Sequence, residues 1–209
     1  MKGILKSLAL TSLVFGMGTA QAVPVEINFT ADNVTDSGGL CFDMSCMDGT
    51  GWSSLGSTPN LSDWRASDSV SLDLDAGTYW FAWRVSNVIP GGSSNPAGLL
   101  AEILWSGGSN VSSSAWEVSD DHSNWSAATS YGSNGGANIW TSVNGGPVAG
   151  IGTDANWLWT SYNNNIEMDN TAWFRTSVTI SQVQVPEPGT LALLGLGLAG
   201  IGFSRRRKI

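Results

Sequence analysis

Val70-Ser71-Leu72-Asp73-Leu74-Asp75-Ala76-Gly77-Thr78-Tyr79-Trp80-Phe81-Ala82-Trp83-Arg84-Val85-Ser86-Asn87-Val88 is the stretch that decides the fold class. Val70, Leu72 and Leu74 alternate with Ser71, Asp73 and Asp75, a period of two that only a strand with one buried face satisfies. Ala76-Gly77 supplies a turn. From Tyr79 the alternation resumes, with Phe81, Trp83 and Val85 on one face and Trp80, Ala82 and Arg84 on the other. Two strands joined by a short turn read as a hairpin.

The same period recurs on either side. Further strands are expected over Val25–Ala31, Leu40–Met44, Leu99–Trp105, Ala115–Val118, Trp157–Ser161 and Ala172–Ile180. Gly, Ser, Asn and Pro clusters separate them. In the last, Phe174, Thr176, Val178 and Ile180 point one way while Arg175, Ser177 and Thr179 point the other. No helical stripe of comparable length appears. The pattern predicts an all-β chain folded as a single β-sandwich or jelly roll domain over residues 23–184. All eleven tryptophans fall within that domain, from Trp52 to Trp173. Each indole buries a large area, so many of them belong to a core, and the chain is ordered and rich in loops.

Several of these segments resemble galactose-binding-domain-like jelly rolls: Leu74-Asp75-Ala76-Gly77-Thr78-Tyr79, Val85-Ser86-Asn87, Pro96 to Ile103, Ala155-Asn156-Trp157-Leu158-Trp159 and Asn170 to Thr176. That class includes carbohydrate-binding modules and accessory domains of glycoside hydrolases. The resemblance bears on fold more than on function, because its motifs are core and turn signals.

The ends of the chain are of a different kind. Lys2 and Lys6 precede an apolar stretch from Leu8 to Met17, and Ala20-Gln21-Ala22 has the small-x-small pattern of signal peptidase cleavage. Residues 1–22 are expected to be a signal peptide, with Val23 opening the mature chain. At the other end, residues 185–209 combine Val185-Pro186-Glu187-Pro188, an apolar run from Gly189 to Phe203, and the basic cluster Arg205-Arg206-Arg207-Lys208. The two prolines hold an extended, accessible peptide. The apolar run suits a short transmembrane helix, and the basic cluster orients it with the tail in the cytoplasm. This order resembles the PEP-CTERM sorting signal of Gram-negative bacteria. The resemblance implies processing by an exosortase-type enzyme, transient anchoring in the inner membrane, and delivery to the cell surface or an extracellular, biofilm-type matrix. An uncleaved C-terminal anchor is the plainer alternative.

Setting the ends aside changes the charge. Only Arg65, Arg84 and Arg175 remain as cations against sixteen carboxylates, a formal charge of about −13, and the domain contains no lysine. Nucleic acid and anionic lipid are therefore disfavoured as partners, and cations and neutral polymers are favoured. Cys41 and Cys46, five residues apart in an oxidising compartment, point to a small local disulfide. They have no nearby histidine or second pair to complete a zinc shell.

Side chains with chemistry are few. His122, the only histidine, follows Asp120 and Asp121, but no nucleophile motif accompanies them, and a solvated loop between Val118 and Trp125 is the simpler reading. Glu102, Glu117 and Glu167 include no pair that spacing alone marks as a glycosidase acid and base. No catalytic residue is assigned. Calcium is the one metal the composition allows, at Asp32 with Asp36, Asp73 with Asp75, or Asp120 with Asp121, and ordinary acidic loops are the competing account. No other cofactor is implied. Trp52, Trp64, Trp125 and Trp140 lie in loop-like sequence, where exposed indoles would stack on sugar rings, with core plugging and loop anchoring as the competing account. The expected function is a non-enzymatic surface or matrix protein that associates with exopolysaccharide or surface glycans. A purely structural matrix component and a carbohydrate-active enzyme are the alternatives.

Overall fold

A computed structural model describes residues 21–41, 52–55, 63–87, 96–160, 171–181 and 195–198. The β domain occupies Ala22–Gln182. It contains twelve described strands and one short helix, arranged as two antiparallel sheets packed face to face. The first sheet runs β10 (Thr129–Ser133), β11 (Asn156–Trp159), β6 (Gly98–Trp105), β1 (Val23–Asp32), β4 (Asp68–Leu74), with β7 (Gly108–Val111) also on β6. The second runs β3 (Ser53–Ser54), β2 (Val34–Cys41), β5 (Gly77–Ser86), β12 (Thr171–Ile180), β8 (Glu117–Ser119), β9 (Ser126–Ala127).

The period-two faces fall where the sequence puts them. Phe81, Trp83 and Val85 of β5 are fully buried, as are Phe174, Val178 and Ile180 of β12. From the opposite sheet Val25, Ile27, Phe29, Leu99, Ile103 and Trp159 meet them in one core. Ring contacts cross the layer: Phe29 lies 6.1 Å from Trp83, and Trp159 lies 5.7 Å from Phe174. Trp83 stacks on Trp116 at 5.2 Å. These interlocked aromatics pack among the aliphatic side chains of one continuous core.

The expected hairpin between β4 and β5 does not form. Asp75 and Ala76 instead carry the chain from one sheet to the other, β4 pairing with β1 and β5 with β2 and β12. A one-sided strand can bury its apolar face beside its neighbour or opposite it, and alternation alone does not distinguish the two. Tyr79 Oη donates to the Asp75 carbonyl at 2.9 Å and pins this crossing.

Strand β6 is buried on both faces from Gly98 to Ile103, which explains why it is apolar on both faces except at the hydrogen-bonded Glu102. Its outer side is covered by a second cluster of Leu100, Trp140, Val148, Ile151, Ala155 and Trp157. Trp140 comes from α1 (Ile139–Asn144), which Asn138 caps by accepting from the Thr141 N–H at 2.9 Å and Gly145 ends at φ 76°. The sequence reading contains no helix here, because six residues are too few for a helical stripe to show. Buried Asn134 organises the adjoining loop: its Nδ2 donates to the carbonyls of Val148 and Ile151, and its Oδ1 accepts from the Val148 N–H. Gly98 lets Trp140 and Trp157 stack at 4.5 Å, since a Cβ there would stand 2.9 Å from each ring.

Candidate functional site

The outer side of β6 is thus covered, while among the described residues no such cluster lies over the outer face of the second sheet. Tryptophan and arginine alternate across it. Trp80 and Arg84 stand on the outer side of β5, and Trp173 and Arg175 on that of β12, with Trp173 opposite Arg84 and Arg175 opposite Ala82 in the register. Arg175 lies 4.0 Å from the Trp125 ring centre and 5.7 Å from that of Trp80, and its Nε donates to Glu117 Oε2 at 2.6 Å. Only 12% of its side chain is exposed, so this cation is a structural post that holds two indoles.

Arg84 is placed differently. Its guanidinium sits 5.7 Å from the Trp173 ring centre, and 47% of the side chain is exposed. The nearest carboxylate among the described residues is Asp36, 3.8 Å from Arg84 Nε and also hydrogen-bonded by Ser86 Oγ. A register shift between Thr35 and Ser37 turns Asp36 toward these partners, a common use of a bulge.

Around Arg84 the surface sinks into a groove of about 420 Å³. With Arg84 it is lined by Ser37 and Gly38 of β2, Ser54 of β3, Trp173 of β12, and Trp52 and His122. Trp52 lies across the backbone of Gly39, where a Cβ would come within 1.9 Å of the indole, so only glycine seats it there. His122 stacks on Trp173 at 5.0 Å and meets Trp125 edge-on at 6.1 Å. Its backbone takes φ 64°, unusual for a residue with a Cβ. Asp121 enforces that turn by accepting from the Asn124 and Ser123 N–H groups at 2.7 and 2.8 Å and from Ser119 Oγ. Those backbone bonds, that of Asn124 first, hold its carboxyl well below the usual carboxylate range. Two ring nitrogens at the groove, Trp52 Nε1 and His122 Nε2, are shut off from solvent with no hydrogen-bond partner among the described residues.

The sequence-predicted residues divide accordingly. Trp52 and Trp125 belong to this aromatic face. Trp140 does not: it is 2% exposed, stacked on Trp157, with Nε1 donating to Asp32 Oδ2 at 2.9 Å, and is therefore core. Trp64 is half-buried against Trp157, with Arg65 over its ring at 4.6 Å, away from the groove. Trp80 and Trp173 were missed, although their place opposite the core face of β5 and β12 was legible.

The calcium candidates do not come together. Asp32 is buried beneath Trp140, and burial pushes its carboxyl up to about 6 against the lowering pull of the Trp140 bond and the Arg65 charge. Asp36 and Asp121 are engaged as described, and Asp73, Asp75 and Asp120 are exposed. Among the described residues no three His, Cys, Asp or Glu are grouped to hold a metal ion. His122 makes no hydrogen bond to Asp120 or Asp121, and the loop carboxylate is spent on backbone. Glu102 lies in the first sheet, accepting from Asn28 Nδ2 and the Gly152 N–H, and Glu117 lies in the second; Glu167 is outside the described residues. Cys41, at the end of β2, is disulfide-bonded, and Cys46, the chain's other cysteine, is outside the described residues.

Val23, the expected first mature residue, opens β1 and is buried beside half-buried Ala22; Ala20 is outside the described residues. Of the tail, residues 195–198 form a helical turn with Leu196 and Leu198 exposed. Among the described residues no helix is long and apolar enough to cross a membrane. Val185, Pro186, Glu187, Pro188 and the cluster Arg205, Arg206, Arg207 and Lys208 lie outside them. Their order in the sequence nevertheless matches a family model. Residues 184–208 are a PEP-CTERM protein-sorting motif. The PEP-CTERM motif implies processing by an exosortase, and proteins that carry it are exported and attached at the cell surface. No curated protein and no solved structure matches the chain, so the sandwich rests on its own strand pairing and the likeness to galactose-binding-domain-like jelly rolls gains no support from a structural neighbour.

Proposed function

We propose that the β domain is a non-enzymatic glycan-associating module that the PEP-CTERM signal delivers to the cell surface or matrix, where it holds exopolysaccharide or a surface glycan. One observation carries this reading: the outer face of the second sheet displays Trp52, Trp80, Trp125 and Trp173 with two arginines and a histidine, around a groove. All four indoles are half-buried, and a cluster of partly exposed aromatic rings on a sheet face is a common mark of a binding surface. Sugar rings match such a face, their C–H sides packing on indole and their hydroxyls reaching guanidinium and serine.

The groove is lined by stacking surfaces and hydrogen-bond donors, a set suited to binding rather than to acid–base turnover. Retention of the full chain, in mild detergent, on a panel of immobilised bacterial polysaccharides tests the proposal. Specific retention of at least one polysaccharide is expected. Failure to retain any would favour a purely structural matrix role, and release of reducing ends from a retained glycan would point to an enzyme.

A further inference from the structure

We infer that the groove is built for an acidic sugar, a glycan carrying a uronic-acid carboxylate that Arg84 receives; this rests on the glycan reading above. The first argument is one of charge placement. The domain has three cations among sixteen carboxylates, yet two of the three stand on one sheet face, and the less committed of them sits in the groove.

The second argument concerns hydrogen bonding. Among the described residues Arg84 has no hydrogen-bonded side-chain partner, and its sole ion pair is the long, exposed contact to Asp36, a kind that contributes little. Its planar fork is therefore available for a bidentate carboxylate, the geometry guanidinium fits best. A cation without a hydrogen-bonded partner calls for an anionic acceptor, and Trp173, 5.7 Å from the guanidinium, supplies an apolar neighbour for the ring that bears it.

The acidic remainder of the domain does not forbid this. Exposed charges beyond about 8 Å are largely screened at physiological ionic strength, so contacts within the groove decide. Among the described residues the carboxylates near it are Asp36, held by Ser86 and Arg84, and Asp120 and Asp121 beside His122.

Isothermal titration calorimetry of the full chain in mild detergent tests the inference, using oligomers of galacturonate, mannuronate and glucuronate, each against its carboxyl-reduced neutral counterpart. A chelator in all samples prevents calcium bridging. At least one uronate should bind about tenfold or more tightly than its neutral form, as a charge-assisted hydrogen-bonded pair provides. Arg84→Gln should cost the uronate about tenfold more affinity than it costs the neutral counterpart, and Arg84→Lys should fall between. Equal affinity for acidic and neutral forms, or equal loss of both in Arg84→Gln, would overturn the inference and leave the glycan reading standing. If polysaccharides are retained by the protein but every uronate is refused, the acidic-sugar assignment is wrong; if no saccharide of any kind binds, both fall.

Discussion

Replacing Asp32 by asparagine should remove a pH dependence that the fold builds into its own core. Asp32 ends β1, 4% exposed, with Trp140 Nε1 donating to it, and its carboxyl is pushed up from the ordinary 3.8 to about 6. The folded protein therefore keeps a proton that the unfolded chain releases between about pH 4 and 6. Stability contributed by that proton is complete below pH 4 and is lost as pH rises through 6. A displacement of about two pH units corresponds to about 3 kcal/mol. For a domain of this size that is about 6 to 12 °C in Tm. The amide of the Asp32→Asn variant keeps an oxygen acceptor for Trp140 and has no proton to lose. All eleven tryptophans lie between Trp52 and Trp173, so their fluorescence reports on the β domain in the full chain. Melts of both proteins at pH 4 and pH 7.5 are the assay, because the other carboxylates titrate alike in each and cancel in the difference. The wild type should lose about 3 kcal/mol relative to Asp32→Asn between the two pH values. Parallel pH profiles would refute the reasoning.

Other expectations follow from close approach and buried polarity. Gly98→Ala puts a methyl 2.9 Å from both Trp140 and Trp157 and should cost about 1–3 kcal/mol in denaturant unfolding, the usual range for overpacking. Asn134→Ala leaves the Val148 N–H and two carbonyls unpaired in a buried loop and should cost about 3 kcal/mol by the same measurement. Gly39→Ala cannot coexist with Trp52 in its place; it should weaken polysaccharide retention, with the change in near-ultraviolet circular dichroism reporting the displaced indole. Substituting Pro186, Glu187 and Pro188 together by Ala should leave the full-length form in the membrane fraction on immunoblots, whereas normal conversion would separate export from the PEP-CTERM motif.

The parts of the fold that sequence exposes are those where one strand meets one core. In β5 and β12 the alternation is strict, and Phe81, Trp83, Val85, Phe174, Val178 and Ile180 are buried as the period requires. Pairing partners are not encoded in that period, so the sheet crossing at Asp75–Ala76 reads as a hairpin until the register is known. Short elements with polar sequences, such as β7, β10 and the first half of β2, carry too few apolar residues to announce themselves. Trp140 misleads for the opposite reason: its neighbours are Asn, Ser and Gly, and only the tertiary partners Trp157 and Asp32 make it core.

The site was half legible. Trp52 and Trp125 stand out because indoles in Gly/Ser-rich loops are conspicuous. Trp80 and Trp173 were hidden within strands, where attention goes to the core face. Their signal was nevertheless available: Trp80, Arg84, Trp173 and Arg175 all fall on faces that the period assigns to solvent. A solvent face bearing tryptophan calls for a ligand or a partner. The groove itself, which needs the Asp36 bulge, Gly39 under Trp52 and the His122 turn, depends on contacts that no local pattern records.

The central claim is that the outer face of the second sheet is where this exported protein holds its glycan. Co-sedimentation with the exopolysaccharide of the producing cells addresses it most directly, comparing wild type, Trp173→Ala and Trp64→Ala after melts confirm that each is folded. The account predicts that Trp173→Ala stays in the supernatant while Trp64→Ala sediments with the wild type. Equal sedimentation of all three, or loss only with Trp64→Ala, would contradict it.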